Sequence, residues 1–127
     1  MRYTRDEVLA RLRRSRAFDV ASRVEIFLHE GLVDDAIAAV ERLGAYPDYA
    51  LLERVVEAAI PSHPDWVMRT GREQAEAIVA GGYAQHYDRA ARWLRHAGRA
   101  AAAAGRTDEW RAQVQALLEE HRRKYKL

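Results

Sequence analysis

Arginines 89, 92, 95 and 99 are the residues best placed to do chemistry in this chain. At helical spacing they form a stripe of guanidinium groups, with His96 among them. Guanidinium is planar and always charged, and it grips phosphate or carboxylate in bidentate fashion. A second basic run, His121-Arg122-Arg123-Lys124-Tyr125-Lys126, lies at the end of the chain. There positive charge also suits a helix C-terminus. Arg89, Arg92, Arg95, Arg99, Arg122, Arg123 and Lys124 are therefore the candidate partner-binding residues. Against this reading stands ordinary solvation, because the stripe lies opposite an apolar face.

Other chemistry is poorly provided for. Histidines 29, 63, 86, 96 and 121 fall in no zinc-binding spacing, and the absence of cysteine removes thiolate ligands, reactive thiols and disulfides. There is no nucleophile elbow and no phosphate-cradling glycine loop. Asp34-Asp35 and Glu119-Glu120 are neighbours in sequence, so on a helix each pair diverges by about 100° and cannot flank one substrate atom. The expectation is a protein that is not an enzyme, with no catalytic residue, cofactor or metal. Trp66, Trp93 and Trp110 read as packing residues, Trp110 on the apolar face of its helix and Trp93 at the edge of its own.

The elements that carry these residues are helical. Alanine, leucine, arginine and glutamate dominate, and proline occurs only at 47, 61 and 64. The clearest stretch is 83–118, two helices joined by a tight turn. Tyr83, Tyr87, Ala90, Leu94, Ala97, Ala101 and Ala104 form the apolar stripe of the first. Arg92, Arg95, His96, Arg99 and Arg106 fall opposite. Gly105 suits a left-handed helix stop, and Thr107 a hydroxyl N-cap ahead of Asp108 and Glu109. Trp110, Val114, Leu117 and Leu118 then face back onto the preceding helix.

Five more helices precede this pair. Thr4 and Glu7 make a capping box for the first, which has Val8, Leu9 and Leu12 on its apolar side and runs to about Arg16. Asp19 caps a second, with Val20, Val24, Phe27 and Leu28 apolar, stopping at Gly31. A third, from Val33, carries Ala36, Ile37, Val40 and Leu43 and ends at Gly44. Pro47 and Asp48 open a fourth, whose Leu51, Leu52, Val55, Val56, Ala59 and Ile60 form the widest apolar face. Pro61 closes it, and Pro64 starts a fifth that ends at Gly81-Gly82. Gly71 and Gly98, inside helices, would permit close helix approach.

At 127 residues the chain is read as a single domain, 1–127, able to bury its own core, though it could be a piece of a longer protein. No apolar run is long enough to span a membrane and no signal segment opens the chain, so a cytoplasmic protein is expected. Formal charge is uneven along it. Residues 1–16 carry +4, 17–60 carry −6, 61–82 carry −1, 83–106 carry +4 and 107–127 carry +1. Basic segments thus flank an acidic middle, which favours an acidic partner or mutual attraction between helix pairs.

Seven antiparallel helices in serial hairpins make an all-α fold. Gly31 is followed by Ala36, Val40 and Leu43 at offsets of five, nine and twelve, and Gly105 by Trp110, Val114 and Leu117 at the same offsets. This spacing resembles the second helix of a tetratricopeptide-type repeat, which implies a right-handed α-α superhelix. Trp110 stands where that pattern wants a small residue.

A second resemblance starts at His63-Pro64-Asp65-Trp66-Val67. It continues through Gln74-Ala75-Glu76-Ala77-Ile78, Tyr87, Ala90-Ala91-Arg92-Trp93-Leu94, Gly105-Arg106 and Glu109-Trp110 to the terminal run from His121 to Leu127. This succession resembles the helical C-terminal region of bacterial SWIM zinc-finger proteins. The family implies a cytoplasmic protein with a Cys/His zinc module ahead of helical repeats. Lacking cysteine, the chain departs from it at the zinc module. The resulting expectation is a non-enzymatic helical-repeat scaffold for protein–protein interaction. The alternative is a nucleic-acid-binding accessory module using basic helix faces, with oligomeric state left open.

Overall fold

A computed structural model describes residues 4, 6, 7, 10, 20–42, 49–81 and 86–125, with side chains through Arg122. Six α-helices make up almost all of this: α1 Val20–His29, α2 Val33–Glu41, α3 Tyr49–Ala59, α4 Pro64–Ala80, α5 Tyr87–Ala103 and α6 Thr107–Tyr125. No strand occurs among the described residues. Of the expected N-terminal helix, the capping box is present: the Glu7 amide donates to Thr4 Oγ1 at 3.1 Å and the Thr4 amide to Glu7 Oε2 at 3.3 Å. Val8, Leu9, Leu12, Arg16, Asp19, Leu43, Gly44, Pro47, Asp48, Gly82 and Tyr83 lie outside the described residues. Among the described residues no helix is long and apolar enough to cross a membrane.

The chain forms two compact units, Met1–Ala58 and Ala59–Leu127. In the first, α1 and α2 form a helical hairpin whose core is Val24, Phe27, Ala36, Ala39 and Val40. The turn between them follows from Gly31, which adopts φ +75°. That left-handed conformation lets the Leu32 amide reach the Phe27 carbonyl at 2.8 Å and the Gly31 amide reach Leu28 at 3.1 Å. Buried Leu51, Leu52, Val55 and Val56 give α3 its expected apolar face, whereas Ile60 falls beyond the helix and is half-buried. An ion pair between Arg54 and Glu25 links α3 to α1.

The second unit is built on α4 and α5, which pack most extensively, with α6 folded back on α5. Pro64 occupies the first turn of α4 as expected, since its missing N–H would have no helical partner there. Gly71 sets the depth of the α4–α5 contact. A Cβ at that position would stand 2.7 Å from the Trp93 carbonyl oxygen and 3.0 Å from the Ala97 Cβ. Gly98 does the same for α6, with the Trp110 indole Nε1 lying 3.2 Å from where its Cβ would be.

Four details of the expected helix pair are corrected. The apolar face of α5 is rotated toward Trp93 and His96, which are 4% and 7% exposed, and it includes Ala90, Ala97, Ala100 and Ala101. Tyr87, by contrast, is 44% exposed. The reason is that α5 has neighbours on two sides, so its buried arc is wider than one stripe. Ala104 lies past the end of the helix and is exposed. Leu118, at 52% exposure, does not turn inward, although Trp110 does. Finally, Thr107 is the first residue of α6, not its cap. The cap position belongs to Arg106, whose carbonyl accepts the Trp110 amide at 3.0 Å.

Candidate functional site

The arginine stripe rests on the second unit's most constrained helix. With Gly71 admitting α4 on one side and Gly98 admitting Trp110 on another, the remaining arc of α5 faces solvent. Arg89, Arg92, Arg95 and Arg99 are all exposed on it. By helical geometry Arg92, Arg95 and Arg99 share an arc of about 60° and span about 10 Å along the axis, while Arg89 lies roughly 90° around. Asp88 stands one turn before Arg92, so the line is purely cationic only from Arg92 onward. His96 does not belong to it. The imidazole is buried and meets Trp93 edge-on, with ring centroids 6.1 Å apart.

The second basic group is on α6. Arg122 is exposed near the end of that helix; Arg123 and Lys124 continue the same helix, their side chains lying outside the described residues. Close by, His121 meets Tyr87 edge-on at 6.5 Å, which links the end of α6 to the start of α5.

Arg106, expected on the basic face, is instead committed to two carboxylates. Its guanidinium donates to Glu109 at 2.8 Å through both Nε and Nη2, and also to Asp65 at the start of α4. The hydrogen bonds it donates to Glu109, then to Asp65, raise the guanidinium further above its ordinary range. The hydrogen bond from Arg106 in turn holds the Glu109 carboxyl below the usual carboxylate range. Both acids sit in first turns, where the helix dipole already favours negative charge. The signal for this arrangement was in the sequence: Arg106 and Glu109 are three apart across a predicted helix start. Asp65 could not be paired with them without knowing that α4 and α6 begin side by side.

The histidines divide by environment. His29 is exposed, His86 occupies the cap position of α5, and His63 Nδ1 lies 2.7 Å from Ser62 Oγ ahead of α4. Trp93 and Trp110 are buried and Trp66 is half-buried, as suits packing residues. A smaller feature that sequence reasoning missed lies in the first unit, a groove between α1 and α2 lined by Arg23, Phe27, Asp35, Ala38, Ala39 and Arg42.

No protein-family model, curated protein or solved structure matches this chain.

Proposed function

We propose that this chain is a non-enzymatic helical scaffold that docks an acidic protein partner on the exposed arginine face of α5. The observation that carries the reading is the line Arg92, Arg95 and Arg99, three exposed guanidinium groups on one arc of a helix. Because α5 is held from two sides, its backbone is fixed before any partner arrives, so little ordering cost falls on binding. A partner helix with carboxylates at steps of three and four residues has the matching periodicity. The serial-hairpin reading, with its tetratricopeptide-like superhelix, belongs to the same proposal, as does the resemblance to SWIM-family helical regions.

The second reading is a nucleic-acid-binding accessory module using the same arginines on phosphates. Burial of Trp93 and Trp110 removes two aromatic rings that a single-strand stacking platform would use, which favours the protein partner. A fluorescent acidic helical peptide and a DNA duplex, each titrated at low and physiological salt, separate the two. The protein reading expects the peptide to bind at both salts and the triple variant Arg92→Glu/Arg95→Glu/Arg99→Glu to lose it. Preference for duplex, falling steeply with salt, would move the reading to phosphates. Equal binding by the triple variant and the wild type would remove the α5 face from both.

A further inference from the structure

The outward arc of α6 carries four exposed charges of alternating sign, Asp108, Arg111, Glu119 and Arg122. Between them lie Ala112, Gln115 and Leu118, also exposed. At about 100° per residue all of these fall within about 60° of Gln115 on either side, and steps of three and four keep the arc straight along about four turns. Trp110, Val114 and Leu117, buried or half-buried, point the other way. Leu118, at 52% exposure, is thus a large apolar side chain left in water beside a small one, Ala112, less than two turns before it.

We infer that this arc is where two copies of the chain associate, as an antiparallel pair of α6 helices with the two-fold axis at Gln115. A two-fold contact is isologous: if one residue meets another, the second meets the first. With the axis at Gln115, residues equally far before and after it face each other. Asp108 then faces Arg122 of the second copy, Arg111 faces Glu119, and Ala112 faces Leu118. Every exposed charge on the arc meets its opposite, and each leucine covers an alanine small enough to let the helices approach. A parallel pair would instead set each charge against its own kind. Moving the axis along the arc to Arg111 or to Glu119 brings that residue against its own copy, so the charges select one register as well as one direction. The complementarity is between this sequence and its own reverse, which is what commits the face to a second copy. Exposed charge pairs add little affinity, and a contact of four turns a side is near or below the roughly 1,200 Å² at the low end of specific interfaces, so the dimer is a weak one.

Sedimentation equilibrium of the full chain from about 10 µM to about 1 mM is the test. The average mass should rise from 14.5 kDa toward twice that value and stop there. Arg111→Glu and Glu119→Arg each set like charges face to face twice in the dimer, and each should weaken association about tenfold. They move the net charge in opposite directions, so net charge alone would not weaken both. The double variant Arg111→Glu/Glu119→Arg exchanges the pair at unchanged net charge and should return association to the wild-type value. Leu118→Glu should leave a monomer. All these positions are exposed, so each variant should keep the helical circular dichroism of the wild type. The inference is overturned if the chain is still a monomer at about 1 mM or if its mass climbs past the dimer. It is equally overturned if the single reversals associate like wild type or if the double variant stays as weak as they are.

Discussion

The hairpins α1–α2 and α5–α6 turn in the same way and pack in opposite ways. In each, a glycine at φ +75° or +71° ends the first helix. The residue after it bonds back five positions, Leu32 to Phe27 and Arg106 to Ala101, and the glycine bonds back three. Each second helix begins two residues beyond its glycine. Five positions past the glycine the first hairpin has Ala36 and the second Trp110, both buried. Seven positions before it they have Val24 and Gly98. A medium residue with a small one in the first hairpin corresponds to an absent side chain with the largest one in the second. The same turn geometry thus carries different side-chain volumes at the two matched positions.

That contrast can be broken most forcefully at Trp110. Trp110→Ala should cost about 3–5 kcal/mol, since nothing on Gly98 can fill the space. Gly98→Val/Trp110→Ala, which imitates the first hairpin, should recover about 1 kcal/mol or more of that loss. Urea unfolding monitored at the remaining tryptophans reads the effect in the second unit alone, because all three tryptophans fall within it. A double variant as unstable as the single would show that volume exchange is not what distinguishes the hairpins.

Gly71→Ala should destabilise the second unit by about 1–3 kcal/mol despite alanine's better helix propensity, because the new methyl meets backbone that cannot rotate away. Gly98→Ala meets only the edge of an indole, and the propensity gain of about 1 kcal/mol should leave it near neutral. The same fluorescence melts would rank the two, and equal effects would contradict the distinction.

The shared turn predicts a matched pair. Gly31→Ala and Gly105→Ala have open space around the added methyl, so both should lose only the left-handed backbone preference, about 1 kcal/mol each. Circular dichroism melts are the measure, and a large disparity would mean the two turns are not equivalent.

The smallest effect sits at Arg106. Glu109 has its folded-state pKa depressed, so its contribution is present above the ordinary carboxylate range and is lost as pH falls through the folded value. Glu109→Gln should thus melt slightly below wild type at pH 7, and the gap should narrow as pH falls below the ordinary carboxylate range. Because the pair is exposed, 0.5 M salt at pH 7 should also narrow it.

Much of the fold was legible because its signals are local. Glycine at 31 and 105, Pro64 at a helix start and the Thr4–Glu7 box each act within a few residues. The apolar face of α3 was readable for the same reason, being written in its own periodicity. What escaped was everything set by a second element. His96 and Trp93 sit inside because α5 has more than one neighbour, and Arg106 pairs with an aspartate 41 residues away. The same limit applies to the site: the exposure of Arg92, Arg95 and Arg99 followed from one helix's pattern, whereas the α1–α2 groove required knowing which residues of two helices are level. Trp110 is accommodated because Gly98 stands opposite it, which its own helix's pattern does not reveal.

Of the eleven residues that α4 and α5 bury, six are glycine or alanine, namely Gly71, Ala75, Ala90, Ala97, Ala100 and Ala101. Such residues have almost no rotamers to freeze, so the side-chain ordering here falls on the other five, Val67, Met68, Thr70, Trp93 and His96. Glycine and alanine also hide little hydrocarbon per residue. The calorimetric consequence is a heat-capacity change per residue for the second unit below the usual roughly 12–15 cal/mol/K, and with it a stability curve flatter across temperature than an aliphatic core of equal length would give.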